Sequence, residues 1–145
     1  MDLPNPQETE AKVDARFRLF LILWAAIFVS VGLFATLAVI VGSKGTPNPI
    51  MSYALLGIGV MIVTLSFLLK QNLVRQAINK NNVAALQSAH IVALALCESA
   101  ALFGLFDRLT TASTTSWFLF GISAVGILMN FPSKDQIRAV AYKSR

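Results

Sequence analysis

Glu98 is the residue of this chain whose type and position could do chemistry. It lies near the middle of an apolar stretch, residues 89–106, that carries no other charge. A charged carboxyl at the centre of a bilayer costs at least about 2.5–3.5 kcal/mol, so such a residue faces a bundle interior, pairs with a polar group or takes up a proton. Two interpretations are open: Glu98 binds a proton or another ion, or it is a neutral group that hydrogen-bonds a neighbouring helix.

His90 and Gln87 precede Glu98 on the same stretch and are the candidates for relaying a proton to it from the cytoplasm. At 100° per residue, Gln87 lies within about 40° of Glu98, and His90 lies on the shoulder of that face. His90 is eight residues from Glu98, which is about 12 Å along a helix, so water would have to bridge the two side chains. The alternative is that His90 lies at the membrane interface without a function.

Small side chains recur beside Glu98 and predict a close helix contact. Stripes of small residues allow helices to approach closely in lipid, and one such stripe consists of Ala93, Cys97, Ala100 and Gly104. The hydrogen-bond partners available to Glu98 on other stretches are hydroxyl residues: Ser30, Thr36, Thr64, Ser66 and Ser123. Cys97 is the single cysteine and is interpreted as a packing residue, since it makes no metal site with the lone His90.

The stretches that must position these residues are long and apolar. The chain has 145 residues, of which 56% are hydrophobic and 13% are charged, whereas a soluble domain has about 25% charged residues. A helix needs roughly 20 apolar residues to span a bilayer, and backbone groups in lipid must bond within the helix. The sequence therefore predicts an all-α integral membrane four-helix bundle of two helical hairpins, with spans over residues 19–41, 50–69, 89–106 and 113–131.

Basic residues decide the predicted orientation of these spans. Ten of the 12 lie in the N-terminal segment, the second connection and the C-terminal tail, whereas Lys44 and Arg108 lie in the other two connections. Because cytoplasmic loops carry the excess of Lys and Arg, both termini are predicted to be cytoplasmic. Residues 1–18 would then form a cytoplasmic segment, residues 19–131 the membrane domain and residues 132–145 a basic cytoplasmic tail.

Two regions at the ends of the spans carry expectations of their own. Asp107 and Arg108 are expected to mark the outer end of the third span as an exposed, solvated pair. The tail is either a short helix on the inner leaflet, with its basic residues near anionic lipid headgroups, or a frayed solvated segment.

The segment from Ala93 to Leu105, ALALCESAALFGL, resembles the proton-binding helix of rotary ATPase proteolipid subunits. In that family a helix rich in Ala and Leu carries one carboxylate, followed by small residues and a Gly-Leu pair. The resemblance implies that Glu98 is an ion-binding group. The family also places a glycine-rich helix beside the carboxylate helix, and no dense glycine repeat occurs in this chain. Outside this segment the sequence is typical of a small bacterial-type membrane protein.

The function predicted from these features is not enzymatic. No nucleophile–base pair, phosphate-binding loop or metal cluster is visible, and no cofactor is expected. We expect an accessory or structural subunit of a homo- or hetero-oligomeric assembly in a bacterial-type inner or plasma membrane, with Glu98 buried near a helix interface. The alternatives are a proton- or ion-translocating element that uses Glu98, and a scaffold that recruits a cytoplasmic partner. The net charge of +5 is assigned to lipid headgroups and not to nucleic acid, because the basic residues flank apolar spans.

Overall fold

The computed structural model describes residues 6–42, 45–80 and 83–143. Five helices follow one another in these ranges: α1 Pro6–Ile40, α2 Pro49–Asn79, α3 Val83–Thr111, α4 Ser116–Met129 and α5 Lys134–Lys143. No strand occurs in the described ranges. The all-α prediction is therefore confirmed, and residues 6–18, predicted as a segment ahead of the first span, are the first turns of α1.

Three of these helices, α1, α2 and α3, are long and apolar enough to cross a membrane. The fourth, α4, has 14 residues, which is about 21 Å of helix, whereas the apolar core of a bilayer is about 30 Å thick. It is shorter than the predicted span over residues 113–131, because the side chain of Ser113 bonds to the backbone and hydroxyl of Thr115 in a turn that precedes the helix.

The third helix lies at the centre of the bundle and packs against α1, α2 and α4. Since α4 also packs against both α1 and α2, these two helices lie on opposite sides of the α3–α4 pair. No Cα atom of α1 lies within 8 Å of one in α2 over the described ranges. The predicted hairpin of the first two spans is therefore wrong, whereas α3 and α4 do pack together.

The connection between α1 and α2 explains why these helices separate. Gly45 lies against the end of α3, where an added Cβ atom would be 1.7 Å from the carbonyl oxygen of Thr110. Only a residue without a side chain allows two backbones to approach so closely. From Gly45 onward, the connection thus starts at the C-terminal end of α3 and leads into α2.

Glycines set the close packing at the centre of the bundle. A Cβ atom added at Gly104 of α3 would be 3.1 Å from the Cβ of Leu119 in α4. One added at Gly126 of α4 would be 2.9 Å from the Sγ of Cys97, and one at Gly59 of α2 would be 2.3 Å from Cδ2 of Leu119. These positions allow α2, α3 and α4 to approach closely, as small residues do in membrane helices generally.

An apolar cluster closes the basic end of the bundle, where α1 begins, α2 ends and α3 begins. It consists of Val13, Phe20, Ala77, Leu86 and Ile137. On the surface beside it, Lys134 and Arg138 of α5 pair with Asp14 at 2.9 Å and with Glu10 at 3.1 Å. The helical interpretation of the tail is confirmed, but the buried side chain of Ile137 packs against protein.

Candidate functional site

Glu98 lies at the contact between α3 and α1, where its partner is Ser30. The hydroxyl of Ser30 donates to Oε1 of Glu98 and also lies 2.8 Å from the carbonyl oxygen of Ile27 in α1. A serine hydroxyl has one hydrogen, so it cannot serve both acceptors fully.

His90 and Gln87 do not reach Glu98. The ring of His90 is 3% exposed and stacks on Phe20 of α1 with centroids 5.2 Å apart, and its Nδ1 lies 3.1 Å from the carbonyl oxygen of Leu86. Because a carbonyl oxygen only accepts, Nδ1 carries the hydrogen, and Nε2 has no partner among the described residues. Gln87 is exposed. His90 is thus buried between α3 and α1, where its ring packs on Phe20.

The small residues beside Glu98 are all buried: Ala93, Cys97, Ala100 and Gly104. The Sγ atom of Cys97 lies 3.3 Å from the hydroxyl of Ser66 in α2 and 3.6 Å from Nδ2 of Asn130 after α4. Ser123 of α4 donates to the carbonyl oxygen of Cys97 at 2.7 Å. The third helix therefore presents Glu98 to α1 and Cys97 to α2 and α4.

Asp107 is buried, contrary to the exposed position expected for it. It is 0% exposed, and its Oδ1 accepts hydrogen bonds from Ser52 of α2 and from Thr111 of α3, both at 2.7 Å. Its Oδ2 is buried without a partner in the described part of the chain. The expectation is wrong because α2 packs its first turns onto this carboxyl. The four-residue spacing of Asp107 and Thr111 was the one available signal, since it places both on the same face.

Two further side chains bond across or beside the helices near the basic end. Nε1 of Trp24 in α1 donates to the carbonyl oxygen of Ile127 in α4 at 2.8 Å. Asn130 is 1% exposed, and its Nδ2 donates to the carbonyl oxygen of Gly126 at 2.8 Å. No sequence signal predicts these bonds, because their acceptors are backbone carbonyls, which every residue has.

Polar side chains link one helix to another, although Glu98 is half-buried and not fully buried as expected. Glu98 links α3 to α1 through Ser30, and Asp107 links α3 to α2 through Ser52. Within the described ranges, no group of three or more His, Cys, Asp or Glu side chains could hold a metal ion. Comparisons of the chain with protein-family models, curated proteins and solved structures gave no match. The hydrogen bonds of this site hold helices together.

Proposed function

We propose that the protein is a non-enzymatic, structural or accessory subunit of a membrane assembly. The observation that carries this proposal is the hydrogen bond between Glu98 and Ser30, which engages the carboxyl group in a contact within the chain. Side-chain bonds between membrane helices contribute about 0.6 kcal/mol on average and up to about 1.7 kcal/mol. In this proposal Glu98 is a structural link between α1 and α3.

Both ends of the chain face the cytoplasm in this proposal. The basic residues of α1, α2 and α5 support it, because cytoplasmic segments carry the excess of Lys and Arg. Helix α5 lies at the same end as the start of α1, since it packs there through its bonds to Asp14 and Glu10. The short α4 returns the chain to this end, and local thinning of the bilayer can accommodate its length. Lys44 and Arg145, and the side chain of Lys143, lie outside the described part of the chain.

The surfaces of α1 and α2 support an oligomeric assembly in a bacterial-type inner or plasma membrane. In the most apolar window of each helix, 11% of α1 and 22% of α2 are buried, against 44% of α3. Because α1 and α2 lie on opposite sides of the α3–α4 pair, the chain presents two broad apolar faces. One of these faces contacts a neighbouring subunit in this proposal, and lipid covers the other.

Substitutions at Glu98 and Ser30 test the structural role. Glu98→Gln keeps the size and hydrogen bonding of the side chain, so the free energy of unfolding in mild detergent should change by less than about 0.5 kcal/mol. Glu98→Leu and Ser30→Ala should each lower it by about 0.6–1.7 kcal/mol, because each removes the bond between α1 and α3. The control is Thr36→Ala, since the Thr36 hydroxyl bonds only to the Gly32 carbonyl of its own helix.

The ion-translocating alternative predicts a different result. Reconstituted protein would then carry protons across vesicle membranes. Glu98→Gln would abolish this proton flux, because an amide side chain does not bind and release a proton as a carboxyl group does. Such a result would contradict the structural proposal. Native electrophoresis of mild-detergent extracts tests the assembly itself: we expect a species well above the 15.7 kDa of one chain, and a monomer would rule out a stable assembly.

A further inference from the structure

A cavity of about 330 Å³ opens at the basic end of the bundle, between α2, the end of α4 and α5. Lys70 and Arg75 of α2 line it. No carboxylate of the described residues lies within salt-bridge distance of either cation, and the acidic Glu10 and Asp14 pair instead with α5. Two positive charges therefore meet in one cavity without a counterion from the described chain.

Two uncharged polar side chains, each with an amide oxygen unbonded within the described ranges, also belong to the lining of the cavity. Asn130 and Gln136 line it, and Oδ1 of the first and Oε1 of the second are buried without a hydrogen-bond partner among the described residues. The amide nitrogen of Asn130 already donates to Gly126, so its orientation is set and Oδ1 is left over. Both oxygen atoms are closed off from solvent, so the cations of Lys70 and Arg75 decide which ligand this cavity takes.

An apolar groove of about 340 Å³ continues from this cavity along α2 and α4. The cavity and the groove share Phe67 and Met129. From Met129 the groove extends to Trp117, which is about 18 Å along the axis of α4. Its lining consists of apolar side chains and glycines, so a hydrocarbon chain matches it.

We propose that the cavity and the groove together bind one anionic phospholipid. Its phosphate lies between Lys70 and Arg75, the rest of its headgroup lies beside Asn130 and Gln136, and one acyl chain lies in the groove between α2 and α4. Charge complementarity and the adjoining groove decide the occupant. A lipid without net charge does not neutralise the two cations, and a free phosphate leaves the groove empty. The lipid proposal rests on the proposed function for one point only, namely that this end of the bundle lies in the cytoplasmic leaflet. The binding test in detergent does not depend on that orientation.

Native mass spectrometry of the delipidated full chain, titrated with lipid in detergent, tests this proposal. Phosphatidylglycerol should bind at least about tenfold more tightly than phosphatidylcholine with the same acyl chains. Lys70→Gln and Arg75→Gln should each weaken phosphatidylglycerol binding by about tenfold, because charge-assisted hydrogen bonds to phosphate are strong. Lys80→Gln makes the same charge change directly after the same helix, outside the cavity, and should leave binding unchanged. Equal binding of the two lipids, or equal binding by all three variants, would overturn the proposal.

The groove is tested separately from the cations. A Cβ atom at Gly121 meets nothing within 4 Å, so Gly121→Leu should enter the groove and weaken phosphatidylglycerol binding severalfold. The matched control is Gly57→Leu, which also has open space and lies outside the groove. A second measurement needs no variant: phosphatidylglycerol with six-carbon chains should bind at least about tenfold more weakly. If inorganic phosphate or the short-chain lipid binds as tightly as the long-chain lipid, the site takes a free anion and the lipid proposal is wrong.

Discussion

Breaking the contact between Ser52 and Asp107 should loosen α2 from α3 by a measurable amount. Ser52→Ala removes the hydroxyl that donates to Oδ1 of Asp107 at 2.7 Å. Side-chain hydrogen bonds between membrane helices contribute about 0.6 kcal/mol on average and up to about 1.7 kcal/mol. We expect a loss near the upper value, because Ser52 is 1% exposed, Asp107 is 0% exposed and the acceptor is a carboxyl group.

Thr111 limits the loss from either substitution. Its hydroxyl lies 2.7 Å from Oδ1 of Asp107 and 2.9 Å from the hydroxyl of Ser52, so each partner keeps one bond when the other is removed. Asp107→Ala should still cost more than Ser52→Ala, about 2–3 kcal/mol, because it removes two accepted bonds and leaves a cavity at a fully buried position.

Reversible unfolding in bicelles, measured for both single variants and the double variant, checks this prediction. The coupling between the two substitutions should be at least about 0.6 kcal/mol, because the residues are in contact. Ser99→Ala is the control, since the Ser99 hydroxyl bonds only to the carbonyl of Ala95 in its own helix. If Ser52→Ala costs no more than this control, and its effect simply adds to that of Asp107→Ala, the reasoning is refuted.

Three further predictions concern packing, the tail and orientation. Gly104→Leu should destabilise the bundle by several kcal/mol, because its Cβ position is 3.1 Å from Leu119 and from a backbone carbonyl. Ala95→Leu on the exposed face should change the unfolding free energy by less than about 0.5 kcal/mol. Similar tolerance at both positions would contradict the packing. Ile137→Ala should lower the free energy of unfolding by about 2 kcal/mol or more, because its side chain is buried. Lys134→Gln should lower it by less than about 1 kcal/mol, because the ion pair of Lys134 is exposed. An equal loss in the same unfolding assay would show that α5 is held by charge. Reporters active only in the cytoplasm should work at both termini and fail in the connection between α1 and α2, and termini that report opposite sides would contradict the orientation.

The sequence predicted which segments are helical but not where α4 begins. The long apolar runs had to become helices, because a backbone in lipid must satisfy its own hydrogen bonds. Ser113 and Thr115 count as mildly polar residues within the span in a hydropathy reading, yet in the structure they bond to each other in a turn ahead of α4. Such local side-chain bonds depend on geometry that composition does not contain.

Some polar contacts of the candidate site could be predicted from the sequence and others could not. The uncharged surroundings of Glu98 showed that it needed a partner, and Ser30 was one of several hydroxyl residues that could supply it. Asp107 was expected to be exposed, because nothing in the sequence near it shows that Ser52, 55 residues away, packs onto it. From sequence alone, a carboxyl group at the end of an apolar span is predicted to be exposed. Only the packing of another helix shows that it is buried.

By itself, the sequence determined that this chain consists of apolar helices, that its basic residues gather toward one end, and that Glu98 lies inside an apolar span. These properties follow from the composition of single segments and from the absence of water in lipid. Only the tertiary structure decided that α3 is central, that α1 and α2 lie on opposite sides of the α3–α4 pair, and that Lys70 and Arg75 share a cavity. All helices of a membrane bundle are similarly apolar, so hydrophobicity does not choose their neighbours. That choice depends on close packing at glycines and on polar bonds between residues far apart in the chain.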